Sequence, residues 1–449
     1  MSERTRASLA LFGFILLCSI GSLSAAWQVR NWGNNLSRVD PFSESNAIRE
    51  VRNFLDTGIT ANDGLGNVLR PGLYPHQGFE GYPATRPHSV TPSGVYTHYP
   101  PGPEYILYVA TKLLGAQPIS RLRIVPLTLT WLAAVFFGLS VRRRFGMSAA
   151  VLVMLACAAL PMFSDADSCL HDEGYAFALL LVEIGVSIGV NRLIFPFALL
   201  GFFQGWLSFD YFFLVTLVPG AIEWAMPRLD VGHRARKRLA LWRCGVAAAG
   251  FAFAHLLHFA EVCAFFGSIP AAVHDLADAA AYRTGEFGPI GRVILTCLVL
   301  RHYFIGTYPI STFFWRPDAG IPGNWQVFRF GGLTIGIWWL LLTHLFIAVR
   351  LMGKTRRPLD LAKRQIDNDW LVVTLCGVVP CSLWYIVMPE HAFIHEHLLY
   401  RHLFFCFFLG LLFCAIALVK AQQPILRGLF GAVLRPTPPI LSMPRKNNV

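Results

Sequence analysis

The sequence predicts an all-α polytopic membrane protein with about ten transmembrane helices and a large soluble loop after the first. Three observations carry this reading. The 449 residues are 55% hydrophobic and 14% charged, with a mean hydropathy of +0.49, whereas a soluble domain carries about 25% charged residues. The apolar runs are about 16–23 residues long, which suits spanning helices rather than the ten-residue alternating strands of a barrel. The basic residues lie in short clusters between those runs, as topology signals do.

Taken in order, the predicted spans are Ala7–Trp27, Ile124–Val141, Met147–Phe163, Tyr175–Val190, Leu193–Phe209, Tyr211–Met226, Cys244–Phe266, Leu333–Leu351, Trp370–Met388 and Leu403–Val419. The first run follows Arg4 and Arg6. A cleaved signal peptide is its competing reading, since Ser22–Ala26 are small, but the run is long for that role and is read as an uncleaved helix. With the N-terminus inside, every dense basic cluster falls inside as well. These are Arg142-Arg143-Arg144, Arg192, the stretches Arg228–Arg243 and Arg350–Arg364, and a tail with Arg427, Arg435, Arg445 and Lys446. Gly291–Leu300 is apolar but too short to span. Gly267–Phe330 is therefore placed outside, with short helices on or dipping into the membrane. Residues 1–330, including outer loops 28–103 and 267–330, form one module. Residues 331–449 hold the C-terminal spans and an inner tail. The expected location is an inner (plasma) membrane, with both termini cytoplasmic and the polar loops periplasmic.

The net charge of +12 does not point to nucleic acid, because its sources are these dispersed clusters facing anionic lipid. Eight of the ten cysteines lie within apolar runs and behave as small hydrophobes. Cys169 and Cys263 fall near the outer face, as two free thiols or a disulfide. Cys-x-x-Cys and Cys/His metal spacings are absent.

Polar chemistry gathers on the outer side. The first loop opens with Asp40-Pro41-Phe42-Ser43-Glu44 and continues as a predicted amphipathic helix. Ala47, Val51, Phe54 and Leu55 share one face, Ser43 or Ser45 is placed to cap it, and Gly58 ends it. Asp40 and Glu44 at its start either complement the helix dipole or serve as a general base just above a bilayer. The loop closes on Thr97-His98-Tyr99-Pro100-Pro101-Gly102-Pro103-Glu104-Tyr105, whose prolines introduce the short apolar helix Leu107–Leu114.

A first helix, an acidic segment ending in Phe54-Leu55-Asp56-Thr57-Gly58, and the Thr97–Gly115 run together resemble the GT-C glycosyltransferases. The likeness is to the branch of protein O-mannosyltransferases and aminoarabinose transferases. It covers topology over most of the chain, with its motifs concentrated in Asp40–Gly58 and His98–Gly115. The resemblance implies a polyprenyl-phosphate sugar donor and outward-facing transfer to an acceptor hydroxyl with inversion. The acceptor would be a lipid, a glycan or a protein. It implies Asp40 and Glu44 as the catalytic acids. The chain departs from the family in having Ser43-Glu44 where an Asp-Glu pair is usual. It also has Tyr99, with His98 before it, where a lysine often precedes the two prolines.

The second outer loop carries Asp165, Asp167, His171, Asp172 and Glu173. Asp172 and Glu173 match a second acidic site that the resemblance implies; the same cluster reads otherwise as a solvated turn and helix start. A divalent cation is a possible occupant, and no other cofactor is called for. His98, Tyr99, Arg301, His302, Arg401 and His402 are the donor phosphate candidates, or else interfacial anchors. His391, His395, Glu396 and His397 form a polar hinge that matches no zinc motif. Glu183, Glu223 and Glu261, in or near spans, are read as structural. The Trp-Trp-Asp run of oligosaccharyltransferases is absent; Trp338-Trp339 is followed by Leu340.

The function read from the sequence is a membrane glycosyltransferase. Its rivals are a lipid-linked sugar flippase and a non-catalytic binder of the same donor.

Overall fold

The computed structural model describes residues 11–16, 19, 41–68, 94–115, 119–159, 169–189, 193–225, 233–284, 288–305, 308–309, 312–317, 325–329, 334–335 and 379–394. Among them the chain is mostly helical. Asp40, Arg401, His402 and most of the spans predicted at 333–351 and 403–419 lie outside the described residues.

Helix α1 runs Pro41–Thr57, α2 Gly102–Leu114, α3 Ile124–Phe145, α4 Met147–Ala159, α5 Glu173–Gly189 and α6 Phe195–Leu207. Then come α7 (Phe212–Ala225), α8 (His233–Phe266), α9 (Ile269–Thr284), α10 (Gly288–Ile305), α11 (Val379–Val387) and the six-residue α12 (Pro389–Ile394). Among the described residues, two helices are long and apolar enough to cross a membrane, Ile124–Phe145 and the Ala235–Phe266 part of α8. Shorter apolar helices occupy Gly174–Gly189, Phe195–Leu207 and Phe212–Glu223, where spans were predicted.

Differences from the sequence reading have physical causes. Helix α8 starts eleven residues before the expected Cys244, because the Arg- and Leu-rich stretch His233–Arg243 is made of good helix formers and simply extends the span. The apolar run at 291–300 belongs to an 18-residue helix, α10. Residues 334–335, predicted to open a helix, pair as a short strand with Tyr308–Pro309. Beside that pair lies an antiparallel ribbon of Thr312–Pro317 with Trp325–Arg329.

Helices α6, α7 and α8 meet through small residues. A Cβ added at Gly201 would stand 2.1 Å from the Ala247 carbonyl oxygen, and one at Gly250 2.0 Å from that of Ala198. The two backbones therefore touch, as small-residue seams between membrane helices allow. Helix α3 packs along α5, and α4 against α3. Within the bundle, Arg243 donates to Glu223 at 2.8 Å with both side chains fully buried, and its guanidinium lies 4.9 Å over the Phe197 ring. Glu223 is thus ion-paired inside the bundle. Glu183 is buried, with neither carboxyl oxygen hydrogen-bonded among the described residues.

Helices α1 and α2 sit together at one end of the bundle. Their shared core is Ala47, Ile48, Val51, Leu107, Ile119, Leu122 and Leu170, with Leu55 packed against it. Ala47, Val51 and Leu55 belong to the face read from helical spacing; the fourth member, Phe54, is also buried and meets Tyr105 and Tyr108. Helix α1 begins earlier than expected, at Pro41, and so takes Ser43 and Ser45 into its first turns. It stops where Gly58 takes a φ of 86°.

Candidate active site

The polar groups of the site come from the start of α5, the loop before α7, the end of α8, helices α1, α2, α9 and α12, and a strap made of residues 64–68 and 94–99. The strap is a short antiparallel pairing. Val68 N donates to Gly94 O and Tyr96 N to Gly66 O, both at 3.0 Å. It forms because a chain crossing this crowded region must satisfy its own backbone groups.

Glu44 is fully buried and clamped. Both guanidinium nitrogens of Arg123 donate to it, Nη2 to Oε2 at 2.8 Å, and Leu170 N donates to Oε1 at 2.9 Å. One turn and a half further along α1, Glu50 is buried beneath the strap. A Cβ at Gly66 would lie 2.1 Å from Glu50 Oε2, so only glycine lets the strap pass there. Burial pushes the Glu50 carboxyl well above the usual carboxylate range; Glu104 reinforces this and His171 opposes it. Glu104, at the start of α2, is likewise raised by burial, with His171 and its own backbone N–H opposing and Asp172 adding to the rise. His171 bridges the group, with Nε2 3.9 Å from Glu104 Oε1 and Nδ1 2.5 Å from Asp172 Oδ1. Glu173 opens α5; its side chain lies outside the described residues. Of the second acidic pair, then, Asp172 stands in this acidic pocket.

A second group lies around Tyr99. Its ring stacks on Phe209 (4.5 Å, 29°) and on Tyr96 (6.0 Å, 7°). The Arg283 guanidinium is centred 5.1 Å over Tyr99 and 5.0 Å over Phe209. Arg283 is buried, donates Nη1 to Ala279 O at 3.3 Å, and has no carboxylate within ion-pair distance among the described residues. His391 Nε2 lies 3.3 Å from the Tyr99 hydroxyl and 3.5 Å from Asp210 Oδ1. Burial and Asp210 raise the Tyr99 hydroxyl, against the pull of Arg283, so it keeps its proton.

A third set fixes the strap. Thr97 Oγ1 donates to Asp275 Oδ2 at 2.7 Å, and His98 Nε2 lies 3.8 Å from the same oxygen. His258 Nε2 donates to Thr97 O at 2.9 Å. Its Nδ1 faces Glu261 at 3.4 Å, and Tyr105 donates to Gly64 O at 2.7 Å. His98 thus serves the strap, while Tyr99 faces the Arg283 group. Arg301 is exposed on α10, and the side chain of His302 lies outside the described residues.

Glu50, Glu104, Asp210, Arg283 and His391 were not singled out as site residues from the sequence. Glu50 reads there as a member of an amphipathic helix and Glu104 as part of the proline-rich entry to a short apolar one. Cys169 and Cys263 are free thiols, so the alternative of a disulfide between them is set aside. Among the described residues no three His, Cys, Asp or Glu side chains are grouped to hold a metal ion.

Comparison with solved structures finds likeness at low identity. The Archaeoglobus fulgidus oligosaccharyltransferase in its apo form aligns with 94% of this chain at 15% identity and a TM-score of 0.46. Archaeal oligosaccharyltransferase AglB from the same organism, in complex with an inhibitory peptide and a dolichol-phosphate, aligns with equal coverage, identity and score. The chain spans about half the length of these proteins, 52% and 51%. ArnT from Cupriavidus metallidurans in the apo state aligns with 97% of this chain, which covers 82% of it, at 13% identity and a TM-score of 0.35. No family model matches the sequence, and no curated protein matches it.

Proposed function

We propose that this chain is an integral membrane glycosyltransferase that moves a sugar from a polyprenyl-phosphate donor to an acceptor hydroxyl on the periplasmic face, with inversion. The observation that carries the reading is a pairing at one end of the bundle. Among the described residues, a buried carboxyl pair, Glu50 and Glu104, with His171 beside it, stands in the same site as Arg283, a buried guanidinium with no carboxylate within ion-pair distance. An acid whose affinity for protons is raised suits a general base. An unpaired guanidinium on an aromatic pair suits a phosphate.

In this reading Glu50 takes the acceptor's proton, with Glu104 tuning it. Glu44 is spent on Arg123, and its role is to hold α1 in place. Asp40 remains the other first-loop candidate. The acceptor oxygen attacks the anomeric carbon, and the phosphate leaves toward Arg283 and Tyr99. Phosphate leaves readily, so one base and charge stabilisation suffice.

The test is transfer of radiolabelled sugar from a panel of polyprenyl-phosphate donors to lipid, glycan and protein acceptors in membranes. Wild type is set against Glu50→Gln, Arg283→Gln and Asp40→Asn. Transfer lost in Glu50→Gln and Arg283→Gln supports the assignment. Transfer lost only in Asp40→Asn moves the base to Asp40. A correctly inserted wild type that transfers from no donor counts against the enzyme. A second reading, flipping of the lipid-linked sugar, draws on Glu183, a buried carboxyl with no hydrogen bond among the described residues, of the kind that marks a transport path.

A further inference from the structure

One component of the site comes from late in the chain. His391 comes from α12, 292 residues beyond Tyr99 in sequence, and is buried. Its ring lies 5.7 Å from Phe209 and edge-on to Trp384, at 6.3 Å and 89°. Phe209 and Tyr99 are the two rings that Arg283 covers. The imidazole and the guanidinium therefore bracket one aromatic pair.

The contacts of His391 Nε2 are directional. An ionised Asp210 can only accept a hydrogen bond, so its carboxylate favours the proton on Nε2. The distances to Asp210 and Tyr99, 3.5 and 3.3 Å, exceed the usual 2.7–3.2 Å. Arg283 draws an anion to the same place.

We propose that His391, oriented by Asp210, donates a proton to the phosphate of the lipid carrier as it departs. This rests on the glycosyltransferase reading. In the step, the acceptor oxygen bonds to the anomeric carbon as the bond from that carbon to the phosphate oxygen breaks. The electron pair goes to the phosphate oxygen, which takes the Nε2 proton of His391. The acceptor's own proton goes to Glu50. The products are the glycoside and the lipid hydrogen phosphate, and one proton passed from Glu50 back to His391 restores the site. His391 is the catalytic residue here, and Asp210 is a positioning residue.

The experiment measures binding of farnesyl phosphate and of farnesol to the purified full chain by intrinsic fluorescence; Trp384, 5.5 Å from Phe209, is a reporter beside the site. Wild type should bind farnesyl phosphate more tightly than farnesol. His391→Ala should weaken farnesyl phosphate about 10- to 100-fold, the range for a charge-assisted hydrogen bond, and leave farnesol unchanged. His391→Gln keeps an N–H donor and should recover most of that binding. In the transfer assay it should still lose kcat with KM little changed, because an amide cannot give up its proton. Asp210→Asn should weaken farnesyl phosphate alone, by less. If His391→Ala lowers both ligands equally, or neither, the inference is overturned and the transferase reading stands. If His391→Gln keeps full kcat, proton donation is overturned. If wild type shows no preference for the phosphate, the transferase reading itself falls, and this inference with it.

Discussion

Arg123 grips Glu44 with both arms of its guanidinium, and neither residue is exposed to solvent. Helix α1 is thereby fastened to the entrance of α3, one of the two candidate spans. A buried pair of this kind contributes through the cost of breaking it: one partner removed leaves a bare charge in a dry interior. We expect Glu44→Ala to cost about 3–5 kcal/mol of stability and to lower the thermal midpoint sharply in detergent. Glu44→Leu combined with Arg123→Met should recover part of the loss. Fluorescence-detected size exclusion after heating reads both.

Glu50 should behave in the opposite way. Glu50→Gln removes a carboxyl from an acidic pocket, so the fold should be retained while transfer falls about 10²–10⁴-fold. Gly66→Ala should imitate it without touching the acid, since its methyl would displace the carboxylate from beneath the strap. Transfer rates normalised to folded protein check both. An active, well-folded Gly66→Ala would mean that Glu50 is not the base.

The pH dependence follows from the same group. Burial and Glu104 raise Glu50 above its unfolded value, so between those two values the native state holds a proton that the unfolded state has released. Stability should therefore fall as pH rises through that window. Activity needs the ionised base and should rise across it. Paired thermal scans and rate measurements from pH 4 upward test the opposing slopes.

Asp275 has the reverse sign. Burial opposes its ionisation, but the nearby His98 imidazole, the Thr97 hydroxyl that donates to it and the neighbouring His258 outweigh burial and hold it below its ordinary value. Its contribution is present above the unfolded value and is lost as pH falls through the lowered one. We expect Asp275→Asn to abolish that acid limb and to loosen the strap. Faster hydrogen exchange at Tyr96 N, the donor to Gly66, would show it.

The α6–α8 seam is the least forgiving place in the bundle. Gly250→Val puts a branched side chain where a methyl would already overlap the Ala198 carbonyl. Overpacking costs about 1–3 kcal/mol, and more where backbone must move. Yield of monodisperse protein should collapse, whereas Gly245→Val, on a face with open space, should be tolerated.

Much of this architecture was legible in advance because it is written in local patterns. The buried face of α1 follows from the spacing of Ala47, Val51, Phe54 and Leu55. The start of α2 follows from its prolines, and α3 from an unbroken apolar run. The functional residues depend on approach in space, which has no local signature. Arg283 reads in sequence as a cation at the end of a helix, and His391 as part of a histidine-rich hinge. Only the path of the strap brings both to Tyr99. Glu44 and Glu50 look alike in the sequence of α1. One meets Arg123 and the other meets Glu104, and that difference comes from the packing of α2 and α3.

Helix α8, at 34 residues, is about 51 Å long, well beyond the roughly 30 Å of a hydrocarbon core. Its first turns carry Arg236, Lys237 and Arg238, and its second half carries His258, which holds Thr97. In the membrane reading proposed above, a rod of fixed length held at both headgroup layers answers a thinner or thicker bilayer by leaning. The lean moves Thr97, and with it the strap lying over Glu50, so lipid chain length becomes a control on how well the site is assembled.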